Sequence, residues 1–424
     1  MQLDFDPATR DVCSDRKPRD LIRRRQVFFV QGYDPQGSAG FYDILRRQWK
    51  HFRATWSITG RLGPLENDSD DVAHCRIEAI GPDWRVDTRY EFLRLEQFIG
   101  PNMAQPMWRQ LLRTARWMYD DLVSGALFRT FRASWKIGVL LLYSQVLLIA
   151  WFAFAIAGGA LAADATTRLA DVSAPVAACV ALAAAAAAFF AVQPLAKRLY
   201  VIQLNNCWPY LREMARGKIT GCDRLIEVFA ARLVAAANAG AVDEILIVGH
   251  SAGAMTCLAV VVRALELDPL LGGRGPRIAL MTAGSLIPAL ALHPAAEKLR
   301  HEVRCLALEP TVLWVDCQAR EDFMNFWNFD PVAGSGIRIG AARRNPRIWH
   351  VPFVDMLAPD FYKRSRWNFF RMHFQYIMAN DRRASYDYFM LVCGHVPFVE
   401  RVESLNGDPV DFKKSSVDRH RRRA

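Results

Sequence analysis

The sharpest change of hydrophobic pattern in the chain lies at residues 244–266. Residues 245–248 are four consecutive apolar residues, which are typical of a short strand buried on both faces. After Ala252 the apolar residues recur at helical spacing, so the pattern predicts a strand, a sharp turn and a helix. A helix at 223–236 and strands at 277–282 and 311–317 are predicted around it. Strands and helices that alternate in this way predict a parallel sheet of the α/β class.

The first part of the chain predicts further strands of a sheet. Residues 26–30 are mainly β-branched or aromatic and run into a loop with Gly32, Pro35 and Gly37. Residues 41–52 have the apolar spacing of a helix. The shorter predicted strands are residues 55–59, 75–80, 84–90 and, near the end of the chain, 386–393.

Two long apolar runs separate these parts. Residues 137–163 are 27 residues without a charge, and residues 172–196 are 25 more. Because a helix needs about 20 apolar residues to cross the hydrocarbon of a bilayer, both runs predict transmembrane helices. The second run is rich in alanine and is also compatible with a buried or interfacial helix. A polar turn at 164–171 is predicted to join the two.

Basic residues flank both outer ends of this hairpin, at Arg129, Arg132 and Lys136 and at Lys197 and Arg198. The positive-inside rule therefore predicts that both ends face the cytoplasm. We expect a protein of the cell inner membrane, multi-pass with two helices, whose globular part is cytoplasmic. The predicted order is a flexible leader (1–20), one part of a globular domain (21–130), the transmembrane hairpin (131–200), the second part of the domain (201–405) and a basic tail (406–424).

Composition narrows the classes of partner and cofactor. The chain has 424 residues, 52% hydrophobic, and a net charge of +11. It carries no nucleic-acid recognition module, so its basic surface favours anionic membrane lipid over nucleic acid. Nine cysteines are scattered without a C-x-x-C pair, which indicates free thiols in a reducing compartment and no metal site. The first 20 residues lack the apolar core of a signal peptide.

A chemical motif occupies the turn between the predicted strand and helix at 244–266. Gly249-His250-Ser251-Ala252-Gly253 would lift the serine hydroxyl clear of the backbone, with glycines where a β-carbon would strike the neighbouring strand or helix. This G-x-S-x-G pattern in a strand–turn–helix context resembles the nucleophile elbow of the α/β-hydrolase family, whose lipases and esterases carry G-H-S-x-G. The resemblance implies a mainly parallel α/β-hydrolase-type sheet with flanking helices, here interrupted by the transmembrane hairpin.

The resemblance also implies an oxyanion hole of two backbone N–H groups. One belongs to the residue after the nucleophile, Ala252, at the start of the helix. The other comes from the glycine loop after an early strand, which in this chain is the backbone of Tyr33 after Gly32. Gln31 departs from the family pattern, in which many relatives have histidine.

In this family the acid follows the serine in the chain and the histidine follows the acid. Three aspartates in or after the strand at 311–317 are candidates for the acid. Asp316 lies within the strand, Asp322 follows it in a loop, and Asp330 precedes a proline as a turn aspartate would. Asp322 is the first choice and Asp330 the alternative.

Four histidines follow these aspartates. His420 lies in the basic tail and is set aside, and His350 lies in an extended segment. His373 opens a hydrophobic stretch and is similar to the late H-x-x-Y arrangement of some lipase-like members, whereas His395 follows the predicted strand at 386–393. The order of preference for the base is His373, His395, His350.

These residues predict a membrane-anchored serine ester hydrolase that acts through an acyl-enzyme on Ser251 and needs no cofactor or metal. The substrate is expected to be a small-molecule or lipid ester, and the membrane hairpin favours a lipid-like one. An acyltransferase or thioesterase would use the same triad. A non-catalytic membrane scaffold on a hydrolase-like fold is the alternative from a different class. Oligomeric state is not predicted.

Overall fold

The computed structural model of the protein describes residues 21–170 and 172–403. The predicted leader (1–20) and basic tail (406–424) lie outside these residues. The strands are β1 (Arg24–Val30), β2 (Thr59–Leu62), β3 (Glu66–Asn67), β4 (Val72–Ile80), β5 (Arg85–Leu93), β6 (Glu244–His250), β7 (Arg277–Ala283), β8 (Leu313–Gln318) and β9 (Arg347–His350).

All nine strands belong to one sheet in the order β2-β4-β5-β1-β6-β7-β8-β9, with β3 paired to β4. From β5 to β9 in this order, adjacent strands are parallel. At the other end of the sheet, β4 pairs antiparallel with β5, β2 and β3. The predicted α/β class is therefore confirmed. Because β1 pairs with β6, the segments before and after the apolar runs build a single sheet.

The helices are α1 (Gly37–Trp56), α2 (Glu96–Met103), α3 (Met107–Val123), α4 (Ala126–Ala133), α5 (Trp135–Ala170), α6 (Ala174–Arg198), α7 (Val201–Ala215), α8 (Cys222–Asn238), α9 (Gly253–Leu267), α10 (Ile287–Ala291), α11 (Glu297–Leu308), α12 (Phe353–Met356), α13 (Pro359–Ser365), α14 (Phe369–His373), α15 (Tyr388–Cys393) and α16 (Phe398–Glu403).

The central strands are covered on both faces. In β1, Phe28 and Val30 point into a core shared with α7, α8, α9 and α11, whereas Val27 and Phe29 point into a second core with α1 and α15. Alternate residues thus enter different cores, and both sets are apolar. This is why the parallel strands read as continuous apolar runs in the sequence.

Two predictions of local structure are wrong. Residues 386–393 were predicted as a strand, but Asp387 accepts a hydrogen bond from the Met390 amide (3.1 Å) and caps α15. Every residue of α15 is buried, so it has no polar face to reveal its helical period. Residues 55–59 are likewise divided between the end of α1 and the start of β2.

The two apolar runs form long helices, α5 and α6, each long and apolar enough to cross a membrane. They pack on each other closely. A β-carbon added at Gly159 would lie only 2.7 Å from the Ala181 carbonyl oxygen. The rings of Trp151 and Phe189 stack with their centres 4.5 Å apart. Small residues that allow backbones to approach in this way are typical of helix pairs within membranes.

The bounds of α5 differ from the predicted ones at both ends. Ile137, Leu140 and Leu141 belong to the core of the globular part, so the first turns of the helix do not face lipid. The predicted polar turn at 164–171 is helical as far as Ala170, with Arg168 and Asp164 paired at 2.8 Å. The 36 residues of α5 extend for about 54 Å, so the helix is long enough to cross a hydrocarbon core of about 30 Å in addition to its first turns in the globular core.

Candidate functional site

Ser251 lies on a sharp turn at the carboxyl end of β6. Its φ is 57°, a left-handed conformation that non-glycine residues adopt at a cost of about 1 to 3 kcal/mol and that is concentrated at functional sites. Its amide donates to the Ala283 carbonyl at the end of β7 (2.9 Å). The neighbouring backbone therefore holds the strained turn, and the Ser251 side chain remains partly exposed.

The two glycines of the motif are required by close backbone approaches. A β-carbon at Gly249 would lie 2.5 Å from the Ala254 Cα, and one at Gly253 would lie 2.2 Å from the Val30 carbonyl oxygen. The start of α9 thus packs directly on the end of β1. This contact fixes the distance between the turn and the loop that follows β1.

That loop touches the serine. A β-carbon at Gly32 would lie 3.1 Å from Cβ and 3.4 Å from Oγ of Ser251. Neither the Tyr33 amide nor the Ala252 amide donates a hydrogen bond to any residue that the structure describes. Ala252 follows Ser251 in the chain, and Tyr33 follows Gly32, which contacts the Ser251 side chain. Both N–H groups without a hydrogen bond thus belong to residues beside the serine, and an oxyanion hole needs such donors.

Side chains around the loop hold its backbone in place. The Tyr33 hydroxyl hydrogen-bonds the Asn102 side chain (2.7 Å), and the Tyr33 ring contacts Tyr210. The Gln31 side chain is buried and donates to Glu96. Gln31 therefore anchors the loop to α2.

Asp322 and His373 form a buried pair at the carboxyl ends of the parallel strands, on the side of the sheet where Ser251 lies. Nδ1 of His373 lies 2.8 Å from Oδ2 of Asp322, and both side chains are almost completely buried. The other carboxylate oxygen accepts from the Met324 amide (2.8 Å). Asp322 comes from the loop after β8, and His373 ends α14, so the loop and the helix are joined through this bond.

The second nitrogen of the ring is unengaged. Nε2 of His373 is buried and has no hydrogen-bond partner among the described residues, Ser251 included. The ring lies 4.8 Å from that of His250, the residue before the serine, and the His373 carbonyl is 3.1 Å from Nε2 of His250.

Two further residues lie beside this pair: Tyr376, the tyrosine of the H-x-x-Y arrangement that begins at His373, and Gly284, which the sequence did not single out. Gly284 directly follows β7 and has φ +58°, and a β-carbon there would lie 2.9 Å from His373 Cε1 and 3.2 Å from Asp322 Oδ2. The Tyr376 hydroxyl accepts from the Ala319 amide (2.7 Å) at the start of the loop that carries Asp322. A glycine directly after a buried strand is the one signal that could have drawn attention to Gly284.

The alternative base His395 lies elsewhere. Its ring stacks on Trp84 (4.7 Å), and its carbonyl accepts from the Ile22 amide (2.8 Å). Ile22 and Trp84 precede β1 and β5, so His395 lies at the amino ends of the parallel strands. Ser251 follows the carboxyl end of β6, which is about 20 Å away along a strand of this length. His350 ends the edge strand β9 beside Trp327 (4.2 Å).

The other aspartates have structural contacts. Asp330 accepts from the Val332 amide (2.9 Å) and pairs with Arg343, as a turn carboxylate does. Asp316 is buried in β8 and accepts from Thr282 (2.5 Å), and burial raises its pKa to about 6. Of the three candidates, Asp322 is the one that contacts His373, the first choice for the base.

His250 should make the stability of the protein fall in acid. Burial, with a contribution from the nearby His373, lowers the pKa of His250 to about 3. Below about pH 6.5 the His250 side chain is protonated in the unfolded chain but stays neutral in the folded chain. The free energy of unfolding therefore falls by about 1.4 kcal/mol per pH unit. Thermal unfolding of wild-type protein and His250→Gln between pH 7 and pH 4 tests this. Glutamine keeps an N–H donor but does not titrate, and parallel curves for the two proteins would contradict the expectation.

Asp120, Asp121 and His293 are the described residues whose ligand atoms lie close enough together for a metal ion. Asp121 is already paired with Arg212 (2.5 Å) and Asp120 with Arg216 (2.5 Å). Two guanidinium groups in the cluster oppose a further cation, so these residues form an ion-pair network between α3, α7 and the loop after α10.

No family model, curated protein or solved structure matches the chain significantly.

Proposed function

We propose that the protein is a membrane-anchored serine hydrolase of the α/β-hydrolase type that cleaves carboxylic esters. The observation that carries the proposal is the buried Asp322–His373 hydrogen bond, with the second ring nitrogen unengaged, at the sheet edge where Ser251 sits in a strained turn. The order Ser251, Asp322, His373 along the chain is the order of this family.

In the proposed reaction, Ser251 Oγ attacks the acyl carbonyl carbon while Nε2 of His373 accepts the hydroxyl proton. Asp322 fixes the tautomer of the ring and stabilises its positive charge. The amides of Ala252 and Tyr33 stabilise the negative oxygen of the tetrahedral intermediate. The ester C–O bond then breaks, and His373 protonates the leaving alkoxide, which departs as the alcohol. Water attacks the acyl-enzyme in the same way and releases the acid.

A lipid-like ester is supported by contacts between the hairpin and the acid and base segments. Trp135, the first residue of α5, packs edge-on against Phe323, the neighbour of Asp322 (5.8 Å). Tyr200, which follows α6, contacts Phe370 on the helix that ends in His373 (3.9 Å). Both ends of the hairpin thus contact the segments that carry Asp322 and His373. We propose that the hairpin spans the cell inner membrane with the globular part in the cytoplasm, so that the site lies close to lipid.

Labelling with a fluorophosphonate probe tests the nucleophile. Ser251 Oγ is expected to form a bond to phosphorus as the P–F bond breaks and fluoride leaves, with His373 taking the proton. Tryptic peptides then separate Ser251 (233–263) from a neighbouring buried serine, Ser285 (278–298). The mass added by the probe should appear on the first peptide and not on the second. Absence of label, or label on other peptides as well, would contradict the proposal.

A non-catalytic membrane scaffold is the second candidate. It is favoured by the missing hydrogen bond between Ser251 and His373 in this conformation. The labelling experiment separates the two, because a scaffold has no activated serine and would not react with the probe in its folded state.

A further inference from the structure

Helix α3 exposes large apolar residues and buries polar ones, unlike an ordinary surface helix. The face towards the protein contains the buried polar residues Gln110, Thr114 and Asp121 beside the buried Trp117. Thr114 donates to the Asn205 carbonyl (3.0 Å), and Asp121 pairs with Arg212 (2.5 Å). These contacts with α7 satisfy the buried polar groups, so this orientation of α3 is fixed by hydrogen bonds and charge.

The outer face of α3 is apolar. It carries five large side chains spaced three, four and seven residues apart, which places them on one side of a helix. They are Trp108, Leu112, Tyr119, Leu122 and Val123, and 70% of Tyr119 is exposed. Helices of water-facing surfaces turn such residues inwards, and an exposed stripe of this length marks an interaction surface.

The stripe is continuous with the membrane hairpin. Leu111 of α3 packs against the cluster formed by Leu148, Trp151, Ala196 and Val201, where α5 and α6 leave the globular part. Between α3 and α5, α4 exposes Phe128, and α5 itself exposes Val139 and Val146. The apolar surface therefore runs from α3 to the faces of α5 that extend into the membrane.

Arginines border the stripe on one side. Arg109 and Arg116 are exposed beside it, whereas Arg113 is turned inwards and pairs with Glu213 (2.7 Å). An apolar helical face bordered by basic residues is the pattern of a helix that lies in the plane of a membrane surface and attracts anionic headgroups.

We propose that α3 is an interfacial helix. Its apolar stripe enters the leaflet next to the hairpin, and Arg109 and Arg116 bind anionic lipid headgroups. This partner follows from the continuity with α5 and from the sign of the charge. The proposal rests on membrane placement of the hairpin and not on catalysis, so it stands or falls separately from the role of Ser251.

A fluorescent label at position 112 tests the proposal in the full chain. Cys13, Cys179 and Cys305 are replaced by serine, since the other cysteines are buried. Leu112→Cys is labelled with an environment-sensitive dye, and the protein is reconstituted into vesicles of equal parts phosphatidylcholine and phosphatidylglycerol. Leu270→Cys, an exposed leucine just before β7, is the matched control. Lipids with a quencher on the acyl chain are expected to quench position 112 about twofold or more above position 270.

Further comparisons show whether lipid or a second copy of the chain covers the stripe. Both labelled proteins should remain in the membrane pellet after alkaline washing, because the hairpin anchors them. Changing Arg109 and Arg116 to glutamine should reduce quenching at position 112 in these vesicles and leave it unchanged in phosphatidylcholine alone. Equal quenching at 112 and 270 would overturn the proposal. So would a change in dye emission that depends on protein concentration and not on the lipid quencher, since a second copy of the chain would then cover the stripe.

Discussion

Asp322→Asn is expected to lower the rate of ester hydrolysis about 10⁴-fold, because the amide cannot stabilise a positively charged His373 and favours the wrong ring tautomer. Ser251→Ala should remove the acyl-enzyme route altogether and sets the background, about 10⁶-fold below wild type. The measurement is hydrolysis of a p-nitrophenyl ester in detergent, together with the rate of fluorophosphonate labelling. The labelling rate does not depend on knowing the natural substrate.

Asp330→Asn is the matched control for this loss. Asp330 lies in the same loop region, but its carboxylate caps the Val332 amide and pairs with Arg343. Its replacement should leave activity within a few-fold of wild type. Thermal unfolding of both variants separates a catalytic loss from a folding defect. Equal activity for Asp322→Asn and Asp330→Asn in folded protein would remove Asp322 from the proposed triad.

Gly253→Ala is expected to destabilise the protein by about 3 kcal/mol, at the upper end of the usual cost of overpacking. The added methyl group would lie 2.2 Å from the Val30 carbonyl oxygen and 2.5 Å from that of Gln31. Both are backbone atoms, which cannot rotate away as a side chain would. The displacement would also separate α9 from the loop with Gly32, so activity should fall in the protein that still folds.

Gly100→Ala provides the comparison. Gly100 lies within α2, and an added β-carbon would meet nothing within 4 Å. Because alanine is the better helix former, this variant should be as stable as wild type or up to about 1 kcal/mol more stable. Thermal unfolding in detergent measures both changes. If the Gly253→Ala and Gly100→Ala proteins unfold at the same temperature, the contact between α9 and β1 is not tight.

Local pattern identified the elements that a single stretch of chain can specify. The strand–turn–helix around Ser251 follows from an apolar run, two glycines and a change of period, and it is found as β6 and α9. The two membrane-length helices follow from composition alone. Where every residue of an element is buried, the period is lost, and α15 was therefore predicted as a strand.

The candidate site depended on distant parts of the chain. The H-x-x-Y arrangement favoured His373 over His395, but no local pattern shows which histidine lies near Ser251. The sheet places them apart. The carboxyl ends of the parallel strands β1, β6, β7 and β8 meet on the side of the sheet where His373 lies, whereas His395 lies at the amino ends. The role of Gly284 also depends on distant residues, because the side chains of Asp322 and His373 pack over it.

Residue pattern and composition were enough to predict the α/β class, the sharp turn at Ser251, the two apolar helices and a short set of possible acids and bases. Only the folded chain shows that Asp322 pairs with His373, that β1 lies next to β6, and that the outer face of α3 is apolar. The difference is the distance along the chain over which the interactions act. Periodicity and turn chemistry act over a few residues, whereas the Asp322–His373 bond joins residues 51 positions apart and the pairing of β1 with β6 joins positions about 220 apart. Such contacts depend on the packing of the whole sheet.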